Sequence, residues 1–347
     1  MHYAPLGVSV GICPWNFPFF VMARKIAPAL LAGCSVVVKT SELTPLTCFK
    51  FMSHISAAIE AGKLDLPPGV VSVVTGYGHT LGEALTSSPI PGIISMTGSV
   101  ATGQKIMANA AVNMCKVSLE LGGKAPCIVM GDADLDKAVD AIVSSRVIFS
   151  GQVCNCAERV YVQSSVYDAF MEKFVAKMKS VKFGGPKEEG VEYCALMSKD
   201  QLDKVQGMVD RAVEAGATVH CGGKAVEGPG YFFPPTVLTG AAQDSEIMQK
   251  EIFGPAIPVA KFETFDEALE LANDCEYGLT SSLFTNDYRY IERARTELLF
   301  GETYINRFHF ETIQGFHAGW RKSGLGGADG KHGLMEYFGT KVIYVQQ

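Results

Sequence analysis

No run of five or more lysines or arginines occurs in the chain, and its net charge is −6. Nucleic acid or an anionic membrane is therefore not the expected partner. Long apolar runs are also missing. Residues 26–33 form one of the longest, and it is interrupted too soon to span a bilayer. The opening Met1-His-Tyr-Ala-Pro5 stretch lacks a basic segment followed by an apolar one, so it does not read as a signal peptide, and the cytoplasm is the expected compartment. The ten cysteines lie scattered through apolar segments (Cys13, Cys34, Cys127, Cys194 and Cys275 among them) and read as reduced, mostly buried thiols. One C-x-C pair, Cys154 and Cys156, has no second pair or histidine cluster at zinc spacing, so no metal site is expected.

What is present is a well-buried globular composition, 48% hydrophobic and 19% charged. At 347 residues the chain exceeds one small core and suggests one large or two medium domains. Its first third alternates short apolar strands at 8–12, 35–39, 70–74, 93–96 and 117–120 with helical stretches at 17–31, 44–61, from 79 onward, and 101–112. Buried runs separated by helices predict a doubly wound parallel sheet in an α/β fold. From Lys124 the pattern restarts. Strands are expected at 127–130, 159–163, 257–260 and 281–284, with helices at 134–145, 166–181, 202–215, 266–273 and 288–299. The closing Thr340-Lys-Val-Ile-Tyr-Val-Gln-Gln347 reads as an apolar strand without a visible partner.

Two glycine loops follow strands and open helices in the first region, Gly76-Tyr-Gly78-His-Thr-Leu-Gly82 and Thr97-Gly98-Ser99-Val-Ala-Thr-Gly103. Each is either a phosphate cradle at a helix N-terminus or an ordinary tight turn. Lys39 and Glu42 lie at the C-terminal end of the second strand, the edge where nucleotides bind in such sheets, or else in a solvated loop. In a cofactor site, Glu42 would accept hydrogen bonds from both ribose hydroxyls and repel a 2′-phosphate, favouring NAD over NADP. Further on, Ser150-Gly-Gln-Val-Cys154-Asn-Cys156-Ala-Glu-Arg159 sets a thiol behind a flexible glycine, and Glu120 supplies a carboxylate. A thiol and a carboxylate are the parts needed to capture a carbonyl covalently and release it with water.

Four patches together resemble the aldehyde dehydrogenase superfamily: Pro14-Trp15-Asn16-Phe17-Pro18, Glu120-Leu-Gly-Gly-Lys124, Gly151-Gln-Val-Cys154 and Glu251-Ile-Phe-Gly-Pro255. They occur in the family's order, and the resemblance runs over essentially the whole chain. Within the family the chain is similar to the lactaldehyde/glycolaldehyde dehydrogenases, through residues 151–162, 301–307 and 314–324. The resemblance implies Cys154 as the nucleophile, with Cys156 a bystander. It implies the Asn16 side-chain amide and the Cys154 backbone N–H as oxyanion donors, and Glu120 as the general base. Glu251 and Phe253 would hold the nicotinamide ribose and ring, and Lys39 and Glu42 the adenosine ribose. Gly98 and Ser99 would lie near the pyrophosphate, and Trp15 would line the cofactor cleft. Arg24, Asn155, Glu311 and His317 resemble the polar set presented to a short hydroxylated aldehyde. The implied activity is NAD-dependent oxidation of lactaldehyde or glycolaldehyde to the acid, by a homo-oligomer.

The implied organisation is an NAD-binding domain over 1–122, a catalytic domain over 123–325 and a tail carrying an oligomerisation strand over 326–347. Family members carry a substantial region before the residues matching Met1–Pro5, which leads to the expectation of an N-terminally incomplete NAD-binding domain. Thr40 replaces the family's usual proline, and the connection at 61–68 is longer than usual. Three rival readings follow. One is a truncated, weakly active or inert remnant that associates with full-length relatives. Another is a dehydrogenase for succinate semialdehyde or some other small aldehyde. The third is a thiol esterase using Cys154 and Glu120 without hydride transfer.

Overall fold

The computed structural model describes residues 1–347. The chain forms two compact units. Unit 1 comprises residues 1–121, 311–319 and 323–347; unit 2 comprises 122–310 and 320–322.

Unit 1 is built on a six-stranded sheet. Its spatial order is Gly324–Leu325, Lys116–Glu120, Ile93–Thr97, Val8–Ile12, Ser35–Thr40 and Val71–Thr75. All pairings are parallel except the first. The inner strands are almost continuously apolar because both faces are covered. One face packs Val36, Val38 and Ile93 against Val21, Met22, Ile26 and Ala29 of the helix Pro18–Ala32. The other packs Val10, Ile94, Met96 and Leu119 against Ile106 and Ala110 of the helix Val100–Val112. Pro18 starts the first helix where its missing N–H costs nothing, and Gly33 ends it in the left-handed conformation, φ 85°. Glycine loops, expected here as strand-to-helix turns, take that place at both positions. The one at 76–82 continues into a π-helical turn, Gly78–Gly82, before the short helix Glu83–Ser87.

The closing strand differs from expectation. It spans Phe338–Lys341, not 340–347, and it has a partner: it pairs antiparallel with His2–Pro5 in a separate two-stranded ribbon. His2-Tyr-Ala-Pro5 is too short and mixed to read as a strand alone, and only pairing reveals it. Beyond the ribbon Ile343, Tyr344 and Val345 are exposed.

Unit 2 carries a seven-stranded sheet in the order Glu302–Ile305, Thr280–Phe284, Ala125–Val129, Ala157–Gln163, Ala256–Phe262, Thr236–Thr239, Thr218–Cys221, parallel except at the last pair. Three of these, at 218–221, 236–239 and 302–305, escaped the sequence reading, since four-residue polar segments carry little periodicity. The helices Leu135–Val147 and Tyr167–Ser180 bury Ile142, Val143, Phe170 and Phe174 against the sheet. Asp134 caps the first of them, accepting from Lys137 N at 3.2 Å. No helix is long and apolar enough to cross a membrane. All ten cysteines are free; Cys194, expected to be buried, is only partly so.

Candidate active site

In unit 1 the predicted residues collect at the C-terminal ends of the sheet strands. A cleft of about 710 Å³ is lined by Trp15, Lys39, Glu42, Gly98 and Ser99 together with Gly78, Gly82 and Thr102. Both glycine loops therefore open onto one cleft. Lys39 is buried, and its Nζ donates to Thr40 O at 3.0 Å and to the exposed Glu42 carboxylate at 3.4 Å. Ser99 caps the 13-residue helix Val100–Val112, its Oγ accepting from Thr102 N at 3.3 Å. That helix directs its positive end at the cleft.

Asn16 sits in the turn between the strand Val8–Ile12 and the helix Pro18–Ala32. Glu120 ends its strand, 5% exposed, and its Oε2 lies 3.6 Å from His317 Nε2. His317 is held by a two-bond bridge to Ala328, with N–H···O distances of 2.9 and 2.7 Å. Lys25, which sequence reasoning missed, is buried one residue beyond Arg24. Its Nζ donates to Ser95 Oγ at 2.9 Å and Thr97 Oγ1 at 3.2 Å. Burial pushes this ammonium down to about 8, opposed by Cys13 and Glu120.

Arg24 lies on the same helix. Its Nη2 donates to Glu311 Oε1 at 2.8 Å, its Nε donates to Asp329 Oδ1 at 3.0 Å, and Nη2 also reaches Asp329 Oδ2. The guanidinium stacks 4.6 Å from the Phe20 ring centroid. Burial raises the Asp329 carboxyl while Arg24 opposes that rise; for Glu311 the nearby His317 and Arg24 outweigh burial and hold it low. Sequence reasoning named Arg24, Glu311 and His317 but not Asp329, which hides inside a glycine-rich loop.

In unit 2 the Gly151–Cys154 and Glu251–Pro255 patches converge with the Gly122–Lys124 end of a third. Cys154 follows a turn in which Phe149, Ser150 and Gly151 take φ values of 49°, 62° and 72°. At Gly151 a Cβ would strike Gly254 O and, at 2.8 Å, Arg146 Nη2. Gln152 braces the loop, its Nε2 donating to Phe149 O at 3.0 Å and its Oε1 accepting from Met197 N at 2.9 Å. Gly122 and Gly123 are needed for close approach. A Cβ on Gly123 would lie 2.5 Å from Cys154 O, and one on Gly122 would lie 2.7 Å from Glu251 Oε2. Gly123 N donates to Glu251 Oε1 at 2.9 Å.

The centre of this arrangement is Glu158, which the sequence reading left unassigned. Its carboxylate accepts from Lys124 Nζ (2.7 Å), Arg146 Nη1 (2.8 Å), Ile252 N (2.9 Å) and Phe253 N (3.1 Å), and the side chains of Glu158 and its two charged partners are at most 1% exposed. Burial alone would raise it, but Lys124 and Arg146 hold it at about 2. Arg146 also donates to Gly151 O at 2.5 Å and contacts Cys156 Sγ at 2.9 Å. One ion cluster thus fixes the Cys154 loop and the Glu251–Phe253 turn, where Phe253 has φ 55°. Glu251 is pushed up to about 7 by burial and then by Glu158.

The two thiols of the C-x-C pair differ. Burial drives Cys156 up to about 12 despite Arg146, so it stays protonated at neutral pH. Cys154 is partly exposed. Asn155 is buried, and its carbonyl accepts from Thr280 Oγ1 at 3.0 Å.

The chain thus joins a doubly wound unit with a helix-capped cleft to a second α/β unit carrying a partly exposed thiol on a braced loop, and the comparisons with known proteins place it among the oxidoreductases that act on aldehydes. Residues 1–343 match the aldehyde dehydrogenase family, and the chain belongs to it. It is 54% identical to lactaldehyde dehydrogenase of Escherichia coli (strain K12) over 342 residues, 98% of this chain and 70% of the relative. The crystal structure of that E. coli enzyme superposes with a TM-score of 0.96, covering 99% of this chain and 71% of the other. Betaine aldehyde dehydrogenase from Staphylococcus aureus, solved in complex with NAD+, gives a TM-score of 0.93 at 37% identity over 98% of this chain and 67% of that one.

Proposed function

We propose that this aldehyde dehydrogenase oxidises a short, neutral α-hydroxyaldehyde, lactaldehyde or glycolaldehyde, to the carboxylate with NAD as cofactor. The observation that carries the substrate is the Arg24–Glu311 pair, 2.8 Å, with His317 nearby in the same unit. An apolar aldehyde chain would leave these polar groups without exchange for lost water, whereas a substrate hydroxyl answers them. The 54% identity to a lactaldehyde dehydrogenase supports the same reading.

The unit 1 cleft fits a dinucleotide: Ser99 and the helix N-terminus suit a pyrophosphate, and the exposed Glu42 carboxylate beside Lys39 suits an unphosphorylated ribose. Glu251 and Phe253 of unit 2 are assigned to the nicotinamide end. When bound, the nicotinamide supplies the hydride acceptor. The chain's own groups do the rest. The Cys154 thiolate adds to the aldehyde carbon, and the Asn16 amide and the Cys154 N–H stabilise the resulting alkoxide. Loss of hydride from that thiohemiacetal leaves a thioester on Cys154. Glu120 takes a proton from water, and the hydroxide so formed attacks the thioester carbonyl. Collapse expels the Cys154 thiolate and releases the acid. Self-association is part of the proposal, supported by the exposed Ile343, Tyr344 and Val345 beyond the ribbon.

NADH formation should be measured with lactaldehyde, glycolaldehyde, succinate semialdehyde and a long alkanal, using NAD+ and NADP+ in parallel. The hydroxyaldehydes with NAD+ are expected to show the highest kcat/KM. A preference for the alkanal sinks the substrate assignment, and a preference for NADP+ sinks the role of Glu42.

A further inference from the structure

Two carboxylates share one guanidinium in unit 1. Glu311 takes Nη2 at 2.8 Å, and Asp329 takes Nε at 3.0 Å and Nη2 as well. All three side chains are close to buried, 9% exposed for Arg24, 12% for Glu311 and 7% for Asp329. Arg24 with Glu311 and Asp329 sums to one positive and two negative charges, with His317 near enough to lower both carboxyls, so Arg24 presents N–H donors with its own charge offset. Nη1 carries the two N–H bonds engaged in neither pair. A single partner would hold Arg24 and leave the pair neutral; the second carboxylate reverses the sign.

The backbone gives an independent reason to regard Asp329 as more than a packing choice. It sits at φ 68°, ψ 164°, a region occupied almost only by glycine and strained for any side chain. Gly326, Gly327 and Gly330 surround it. A glycine at this position would relieve the strain, yet the loop carries an aspartate whose carboxylate engages the arginine through two nitrogens.

We infer that Asp329 is a positioning and specificity residue: it fixes the Arg24 guanidinium and compensates its charge, so that the enzyme accepts neutral hydroxylated aldehydes and rejects aldehydes bearing a carboxylate. This deepens the hydroxyaldehyde proposal and rests on Arg24 facing the substrate. An uncompensated arginine in a partly buried site is a carboxylate receptor. With Glu311 and Asp329 both ionised, an incoming carboxylate meets repulsion instead.

The test compares glyoxylate, which has the size of glycolaldehyde but a carboxylate in place of its hydroxymethyl group, with glycolaldehyde. Wild type, Asp329→Asn and Asp329→Gly are assayed for both, with succinate semialdehyde as a longer anion. Glycine suits φ 68°, so that variant keeps the loop even where asparagine does not. Both variants are expected to shift the kcat/KM ratio toward the anionic aldehydes by about tenfold, with NAD+ affinity unchanged. An unchanged ratio, or a parallel loss with neutral and anionic aldehydes, overturns the inference. Wild type that turns over propanal but neither hydroxyaldehyde overturns the hydroxyaldehyde reading instead, and propanal then serves as the neutral reference for the same ratio.

Discussion

The charged residues of unit 1 and those of unit 2 are arranged for opposite ends. In unit 1 the pairs leave polar atoms over: Glu42 is exposed beside Lys39 at the cleft, and the Nη1 of Arg24 is engaged by neither Glu311 nor Asp329. In unit 2, Lys124, Arg146 and Glu158 are sealed from solvent, and every oxygen of Glu158 is used twice. The first kind of charge is the kind proposed to recognise a ligand, and the second shapes backbone. A buried ion cluster adds little net stability, but it specifies one geometry and is costly to break. The thiol loop and the Glu251–Phe253 turn, both carrying left-handed non-glycine residues, are the segments that need such enforcement.

The comparison can be broken most severely at the thiol itself. Cys154→Ser is expected to lower kcat by at least about 10³-fold while leaving the thermal midpoint where it was, since the residue is partly exposed and its backbone contacts remain. Retained NADH production by this variant removes Cys154 from the nucleophile role.

Next in size is Glu158→Gln. It leaves two buried cations without their counter-charge, and about 3–5 kcal/mol of stability should be lost. Denaturant unfolding followed in parallel with Glu42→Gln checks this; the exposed Glu42 should change stability by about 0.5 kcal/mol or less. Equal losses in the two variants would erase the distinction between the units.

Smaller still is a pH effect at Glu251, whose carboxyl is raised to about 7 from an ordinary 4.5. Between these values the native state keeps a proton that the unfolded chain has released. Its contribution is therefore complete below about pH 4.5 and is lost as pH rises through 7. Glu251→Gln has no proton to lose, so its melting temperature should gain on wild type between pH 5 and pH 8, by the equivalent of about 1–3 kcal/mol. A constant difference across that range contradicts the raised value.

Legibility followed the range of the interactions involved. The strand Ile93–Thr97 and the helix after it were readable because a fully buried parallel strand is apolar throughout and its helix opens with a capping serine. The ribbon strand His2–Pro5 was not, because its only reason to be extended is a partner more than 330 residues away, at Phe338–Lys341. Cys154 stood out through its loop, and the burial of Cys156 supplies a physical reason to set that second thiol aside. Glu158 and Asp329 stayed silent. Each looks locally like an ordinary surface carboxylate, and its meaning comes from cations at a distance: Lys124 and Arg146 for one, Arg24 for the other.

By itself the sequence determined the α/β class, the two strand-and-helix series and the family, because these rest on periodicity and on short motifs whose glycines and prolines act within a few residues. Which carboxylates stay open and which hold the frame was decided by tertiary structure. Burial and the distance to a counter-charge set that difference, and both exist only once the chain has folded.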